Sequence, residues 1–194
     1  LNSLQNYIKN KRVAIIGNAA SLIGSGYGQE IEAHDVIVRI NMAWPRETVT
    51  KDIGFSTHIW VTGGGDATCP WTKEIQQKFK SQFTLGIQQH YSFNPELENL
   101  IPLPYSEIVY PLRDKLMILG GKSPSTGCIT IEYFKILDGF KELNIYGFDF
   151  YKTDDWSYPN PEFKPKLQVY EHENFAIEEK YIKSILNERI KLIG

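Results

Sequence analysis

Two short apolar runs, Val13-Ala14-Ile15-Ile16 and Val36-Ile37-Val38, frame a segment rich in glycine and serine from Gly17 to Gly28. Each run is too short for a helix and rich in β-branched residues, the pattern of a strand buried on both faces. Strands of that kind belong to parallel sheets, where the long crossover between neighbours covers the face with a helix. The opening unit therefore points to an α/β chain. It also puts Gly17-Asn18 and Asn41 directly after strand ends, and in open parallel sheets the ligand crevice lies outside those carboxyl ends. Glycine there lets a ligand come close to the backbone. Two asparagine amides add both donors and acceptors, a set suited to one nucleotide.

The same alternation continues downstream. A short amphipathic helix from Leu4 to Lys11 leads into the first strand, and Thr57 to Thr62 reads as a third strand. It ends in Gly63-Gly64-Gly65-Asp66, a further loop on the same edge and a candidate pocket wall. A helix is expected from Trp71 to Lys80 and a strand from Phe83 to Ile87. Pro95, Pro102, Pro104 and Pro111 make Asn94 to Pro111 a surface connection with a helix or strand fragment near Ile108. Leu112 to Leu119 fits either helix or strand. Ser125-Thr126-Gly127 opens a helix through Leu137, with apolar residues at 129, 133, 136 and 137. Ser125 or Thr126 caps it, leaving the first N–H groups for an anion. Leu143 to Phe148 is the next strand, Glu173 to Leu186 the last helix, and Ile190 to Ile193 a final short strand. The aromatic, charged, Pro-broken stretch after Asp149 has the composition of a lid. We read 1–194 as one catalytic domain with a lid or acceptor loop at 149–172.

Composition narrows the function classes. A net charge of −2 and a pI near 6.1 give no bulk electrostatic case for nucleic acid. No apolar run reaches the ~18 residues of a membrane span. The chain starts at Leu1 rather than Met, which leaves room for an anchor upstream. The only cysteines are Cys69 and Cys128, and no Asn-x-Ser/Thr sequon occurs. Both facts favour a reducing, unglycosylated compartment. Neither an Asp-x-Asp pair nor a zinc-like His/Cys spacing is present, so no metal or other cofactor is expected.

With these residues in hand, the chain resembles the eukaryotic-type sialyltransferase family. The long motif of that family is similar to Gly17-Asn18, Leu22, Gly24-Ser25-Gly26-Tyr27-Gly28, Glu30-Ile31, His34-Asp35-Val36, Arg39 and Asn41. The small motif is similar to Pro124-Ser125-Thr126-Gly127 running to Tyr146-Gly147-Phe148, and Asp52-Ile53-Gly54 with Thr57-His58 resembles a segment between them. The resemblance implies a Rossmann-like, GT-A-type variant with a mostly parallel central sheet flanked by helices. It implies a metal-independent enzyme that inverts the anomeric carbon as it moves sialic acid from CMP-sialic acid to a glycan hydroxyl. It assigns donor contacts to Gly17, Asn18, Asn41, Ser125, Thr126, Gly127 and Gly147. Three departures stand out. The family's motif disulfide falls on Val13 and Phe140, which favours packing in its place and a bacterial setting, cytoplasmic or peripheral to the cytoplasmic membrane rather than the Golgi lumen. The small motif is about two residues longer than in relatives. The last motif, a His and a Glu with four residues between them, becomes His172 and Glu178 with five between.

Transfer from a CMP ester requires a base for the acceptor hydroxyl and stabilisation of the departing phosphate. A histidine with an ordinary pKa near ~6.5 suits the first task, and His172 before a helix is the candidate. Free N–H groups, amides and the hydroxyls of Tyr158 and Tyr170 suit the second. The alternatives are a CMP-Kdo-type transferase acting on a bacterial surface glycan and a nucleotide-binding module without catalysis. An NAD-dependent oxidoreductase is disfavoured, because the glycine spacing is not Gly-x-Gly-x-x-Gly and no acidic residue ends the second strand. His34 and His58 read as structural, His90 as solvated, and the cysteines as inert.

Overall fold

The computed structural model describes residues 2–41, 43–63, 72–87, 96–152 and 172–194, with the side chains of 2, 172 and 173 left aside. Its strands are β1 (Arg12–Ile16), β2 (Val36–Ile40), β3 (Ile59–Thr62), β4 (Phe83–Gly86), β5 (Leu100–Pro102), β6 (Glu142–Tyr146) and β7 (Ile190–Ile193). They form one sheet in the order β5-β4-β3-β2-β1-β6-β7, with every neighbouring pair parallel. The helices are α1 (Asn2–Ile8), α2 (Gly28–Glu32), α3 (Thr50–Ile53), α4 (Lys73–Phe79), α5 (Tyr105–Ile118), α6 (Thr126–Leu137) and α7 (His172–Ile185). The expected α/β sheet is present.

Strand alternation builds two cores. Val13 and Ile15 face one way with Val36, Val38, Ile59 and Val61, and pack under α1, α5, α6 and α7. Ala14, Ile16 and Ile37 face the other way, under α2 and α3. Trp60 continues that second face under α4, its ring stacked on Phe79 with centroids 4.9 Å apart. Val13 and Phe140, the two positions of the family's disulfide, are both buried in the first core.

The crossovers change side at β1. From β1 outward to β4 they run over the α2, α3 and α4 face. The chain then returns through α5 and α6 to β6, on the far side of β1, over the opposite face. Adjacent strands β1 and β6 thus send their carboxyl-end loops apart, which opens a crevice between them.

Two local outcomes differ from the sequence expectation. The Pro-rich segment after Asn94 is not merely a surface connection: it holds β5 and the first half of α5, which continues through Pro111. Pro102 sits in an edge strand, where its lack of an N–H costs no ladder hydrogen bond. A proline inside a helix costs about 3 kcal/mol. Ile108, Val109, Leu112 and Leu116 are buried in one stripe of α5, and about 1.5–3 kcal/mol per buried side chain outweighs that penalty. The glycines at 24, 26 and 28 serve turns and packing rather than a ligand. Gly24 and Gly26 have φ of 81° and 72°, and the Gly26 N–H donates to Asp52 Oδ1 at 3.0 Å. A Cβ at Gly28 would strike the backbone carbonyls of Thr50 and Lys51.

A buried carboxylate ties α5, α6 and α7 together. Glu132 on α6 accepts from Lys135 Nζ at 2.6 Å, Tyr181 Oη at 2.6 Å and Lys115 Nζ at 3.0 Å. Burial alone would raise its pKa, but the hydrogen bonds from Lys135, Tyr181 and Lys115 hold it below the usual carboxylate range. A carboxylate with a lowered folded pKa stabilises the fold above its unfolded value and loses that contribution as pH falls through the folded one. Glu132→Gln should therefore narrow the stability gap between pH ~7 and pH ~3, starting from an unfolded value near ~4.3. Urea titrations at the two pH values check this, and an unchanged gap would refute it.

Candidate active site

The crevice between β1 and β6 holds a pocket. Gly17, Asn18 and Ala19 after β1, Ile40 and Asn41 at the end of β2, and Ser125, Thr126 and Gly127 at the start of α6 line it. Gly147 to Tyr151 after β6 and Glu178 of α7 complete the lining. All seven residues expected to contact the donor are thus brought together, from four separate stretches of sequence. His172 is the first residue of α7. Tyr158, Tyr170 and 153–171 of the expected lid lie outside the described residues, as do His90, Cys69 and 64–66 of the triple-glycine loop.

The two asparagines are held in complementary ways. The Asn18 Nδ2 is 3.5 Å from the Ile40 carbonyl, which fixes the orientation of the amide. Its Oδ1 is buried without a hydrogen-bond partner among the described residues, so it is an acceptor ready for a ligand N–H or O–H. Asn41 has φ of 52°, a left-handed conformation that asparagine tolerates better than most side chains. Its N–H donates to Val61 O at 2.7 Å and its carbonyl accepts from Trp60 Nε1 at 2.8 Å. Its Oδ1 accepts from the Gly63 N–H at 3.0 Å. What Asn41 can still offer a ligand is therefore its Nδ2 donor.

Close approach requires glycine at three positions. A Cβ at Gly17 would collide with the Gly147 carbonyl and come within 2.8 Å of the Phe148 ring. A Cβ at Gly127 would lie 2.6 Å from the other edge of the same ring. Gly147 has φ of 68°, and a Cβ there would strike Leu22.

Ser125 caps α6: its Oγ accepts the Cys128 N–H at 3.2 Å. Its own N–H is not free for an anion, because it donates to Glu178 Oε1 at 2.6 Å. The Ser125 hydroxyl donates to Glu178 Oε2, also at 2.6 Å. The first-turn donors left for an anion are the N–H groups of Thr126 and Gly127. Burial pushes the Glu178 carboxyl above the usual range, while the hydrogen bonds from Ser125 and Asn174 pull it down. Cys128 is buried, and burial raises its thiol pKa well above normal, so it is an unreactive core residue.

The pocket residues that sequence reasoning missed lie just past β6. Phe150 and Tyr151 are consecutive non-glycine residues with φ of 55° and 58°, a strained backbone of the kind that gathers at functional sites. Asp149 Oδ1 accepts the Tyr151 N–H at 2.9 Å. The Tyr151 ring stacks on Phe175 of α7 with centroids 3.6 Å apart. Glu178 had a signal, its place in the last motif; Phe150 and Tyr151 had none beyond following Gly147-Phe148. No lysine or arginine is among the described lining residues. Among the described residues no cluster of His, Cys, Asp or Glu could hold a metal ion, and no helix is long and apolar enough to cross a membrane.

His34 and His58 are structural. His34 Nε2 faces Asn144 Nδ2 at 3.0 Å, and its Nδ1 lies 3.0 Å from Glu30 O. His58 Nδ1 accepts the Ile37 N–H at 3.0 Å.

An open parallel sheet with a pocket of amides, glycines and a helix N-terminus at its switch point defines an α/β protein of the doubly wound class. The comparisons narrow the class. The model of glycosyltransferase family 29 (sialyltransferase) matches residues 4–102, just over half of the chain, and the chain belongs to that family. Mouse CMP-N-acetylneuraminate-beta-galactosamide-alpha-2,3-sialyltransferase 2 is 29% identical over 161 residues, which is 75% of this chain and 45% of the mouse protein. The human alpha-2,3-sialyltransferase 1 of the same series is 24% identical over 164 residues, 75% of this chain and 46% of the human one. The chain thus spans less than half the length of these curated relatives. A mammalian sialyltransferase crystallised with Gal-beta-1-3GalNAc-ortho-nitrophenol superposes with a TM-score of 0.61 at 18% identity, covering 97% of this chain and 71% of that one. A second mammalian sialyltransferase structure gives 0.60 at 20% identity, covering 95% and 69%. At these identities the likeness shows the fold.

Proposed function

We propose that this chain binds CMP-sialic acid in the β1/β6 crevice and transfers the sialic acid, with inversion and without a metal, to a hydroxyl of a glycan acceptor. One observation carries the reading. The seven residues taken from the long and small motifs converge on a single pocket, in a chain of the sialyltransferase family. The pocket chemistry supports it. Asn18 Oδ1 offers an acceptor and Asn41 Nδ2 a donor. The Thr126 and Gly127 N–H groups stand at the positive end of the α6 dipole, where a phosphate ester is favoured. The bound phosphodiester carries one negative charge, and the second charge that develops on CMP as the glycosyl–oxygen bond breaks would be met by these amides and N–H groups. His172 is the proposed general base. Kdo is chemically close to sialic acid, and the acceptor is a glycan hydroxyl of a class left to experiment.

Calorimetric titration with CMP in EDTA tests the donor site, with UMP and NAD as controls. Selective CMP binding is expected, and Asn18→Ala should weaken it about tenfold, the ~1.4 kcal/mol scale of one well-placed hydrogen bond. Absence of CMP binding by folded protein would overturn the reading. CMP binding without turnover of CMP-sialic acid or CMP-Kdo, across a panel of acceptors, would favour the non-catalytic module.

A further inference from the structure

The N-terminal half of α7 grips the turn that leads into α6. Asn174 and Glu178 are four residues apart and therefore on one face of the helix; they are 7% and 3% exposed. Asn174 Oδ1 accepts the Lys122 N–H. Its Nδ2 donates to the Ser123 carbonyl at 3.1 Å and to Glu178 Oε1 at 3.1 Å. Glu178 in turn takes the N–H and the hydroxyl of Ser125. Four hydrogen bonds thus fasten Lys122, Ser123 and Ser125 to two side chains more than fifty residues away, and a fifth joins those two side chains to each other. The turn needs such fastening. It starts with Gly120-Gly121, Gly120 at φ of 91°, and glycine loses the most conformational entropy on ordering. Gly121 lies against the clamp, since a Cβ there would stand 3.0 Å from Asn174 Oδ1.

We propose that Asn174 and Glu178 act as one positioning clamp. It fixes the Thr126 and Gly127 N–H groups for the donor phosphate and makes the anion site rigid with the helix that begins at His172. The proposal rests on the CMP reading of the pocket. Neither residue is a catalytic residue; each acts through Ser125 and its turn. The clamp supplies pre-organisation: the N–H groups do not have to be ordered when the phosphate arrives, so that loss of entropy does not weaken binding. Hydrogen bonding is what the clamp requires of position 178, and the negative charge is incidental. A glutamine can keep Oε1 for Ser125 N–H and Asn174 Nδ2 and donate its Nε2 to Ser125 Oγ.

The test uses Asn174→Ala, Glu178→Ala and Glu178→Gln, with two readouts. Amide hydrogen exchange across residues 122–128 reads the clamp with no ligand present. Calorimetry with CMP, and donor KM where turnover is measurable, read its consequence. Asn174→Ala and Glu178→Ala should speed exchange in 122–128 while leaving β1 and β6 protected, and weaken CMP binding about tenfold or more, a ~1.4 kcal/mol change. Glu178→Gln should stay within about threefold of wild type, or roughly 0.65 kcal/mol. Equal loss in Glu178→Gln and Glu178→Ala would overturn the proposal, because charge would then matter rather than geometry. Unchanged exchange in Asn174→Ala, or faster exchange with unchanged CMP affinity, would overturn it too. If either alanine variant fails to fold, the glutamine variant and the other alanine carry the same decision. Failure of the wild type to bind CMP would remove the donor reading and with it the functional claim, while the exchange data would still decide whether the clamp exists.

Discussion

Gly17→Ala is expected to abolish measurable CMP binding and to lower the thermal midpoint of the protein. The new Cβ would meet the Gly147 carbonyl, which is backbone, and the Phe148 ring at 2.8 Å. Neither neighbour is the loose end of a flexible side chain. The carbonyl also accepts the Ala19 N–H, and the Gly17 N–H donates to Tyr146 O, so the two strand-end turns cannot separate without losing hydrogen bonds. Overpacking of this kind costs about 1–3 kcal/mol. At roughly 2–4 °C per kcal/mol for a domain of this size, the midpoint should drop by several degrees. The larger effect is local. Pushing the β1 and β6 turns apart moves Asn18 away from Gly147 and Phe148, and a loss of about a hundredfold in affinity, ~2.7 kcal/mol, is a lower expectation. Scanning calorimetry and CMP titration read both numbers. A variant that melts like wild type and binds CMP as well would show that the crevice is wider and softer than described.

His172→Ala should lower transfer by about 10²–10⁴-fold, the usual range for removing a positioned general base, with CMP affinity little changed. The expectation comes from the chemistry of the acceptor hydroxyl, which must lose a proton as the sugar arrives, and from the place of His172 at the start of α7. Nucleotide affinity should survive because the described pocket residues belong to other segments, apart from Glu178 further along the helix. Steady-state rates with CMP-sialic acid, beside calorimetry with CMP, separate the two quantities. Turnover within a few-fold of wild type would remove His172 from the mechanism and direct attention to Asp149, a carboxylate in the pocket wall.

Six of the seven strands were legible because each is a short apolar run ended by glycine or a polar residue; β5 lay hidden in the Pro-broken segment. The residues that meet in the pocket were legible for a related reason. Asn18, Asn41 and Ser125 sit at ends of elements, where an open parallel sheet places its crevice, while Gly147 came from the family resemblance. What escaped depends on distant packing. The course of α5 through Pro111 is decided by a buried stripe under the sheet, against local propensity. The grip of Glu178 on Ser125 joins residues 53 apart, and no spacing rule shows which helix face will meet which turn. The glycines at 24, 26 and 28 signalled flexibility for a ligand, yet their neighbours are Asp52, Thr50 and Lys51.

Phe148 has a consequence for how such a crevice can change over time. Its ring stands between Gly17 on one edge and Gly127 on the other, so it works as a spacer whose size is set by covalent bonds. It also ties two sequence positions together: a bulkier residue at 127 becomes tolerable only with a smaller one at 148, whereas at 17 the Gly147 carbonyl bars a side chain whatever stands at 148.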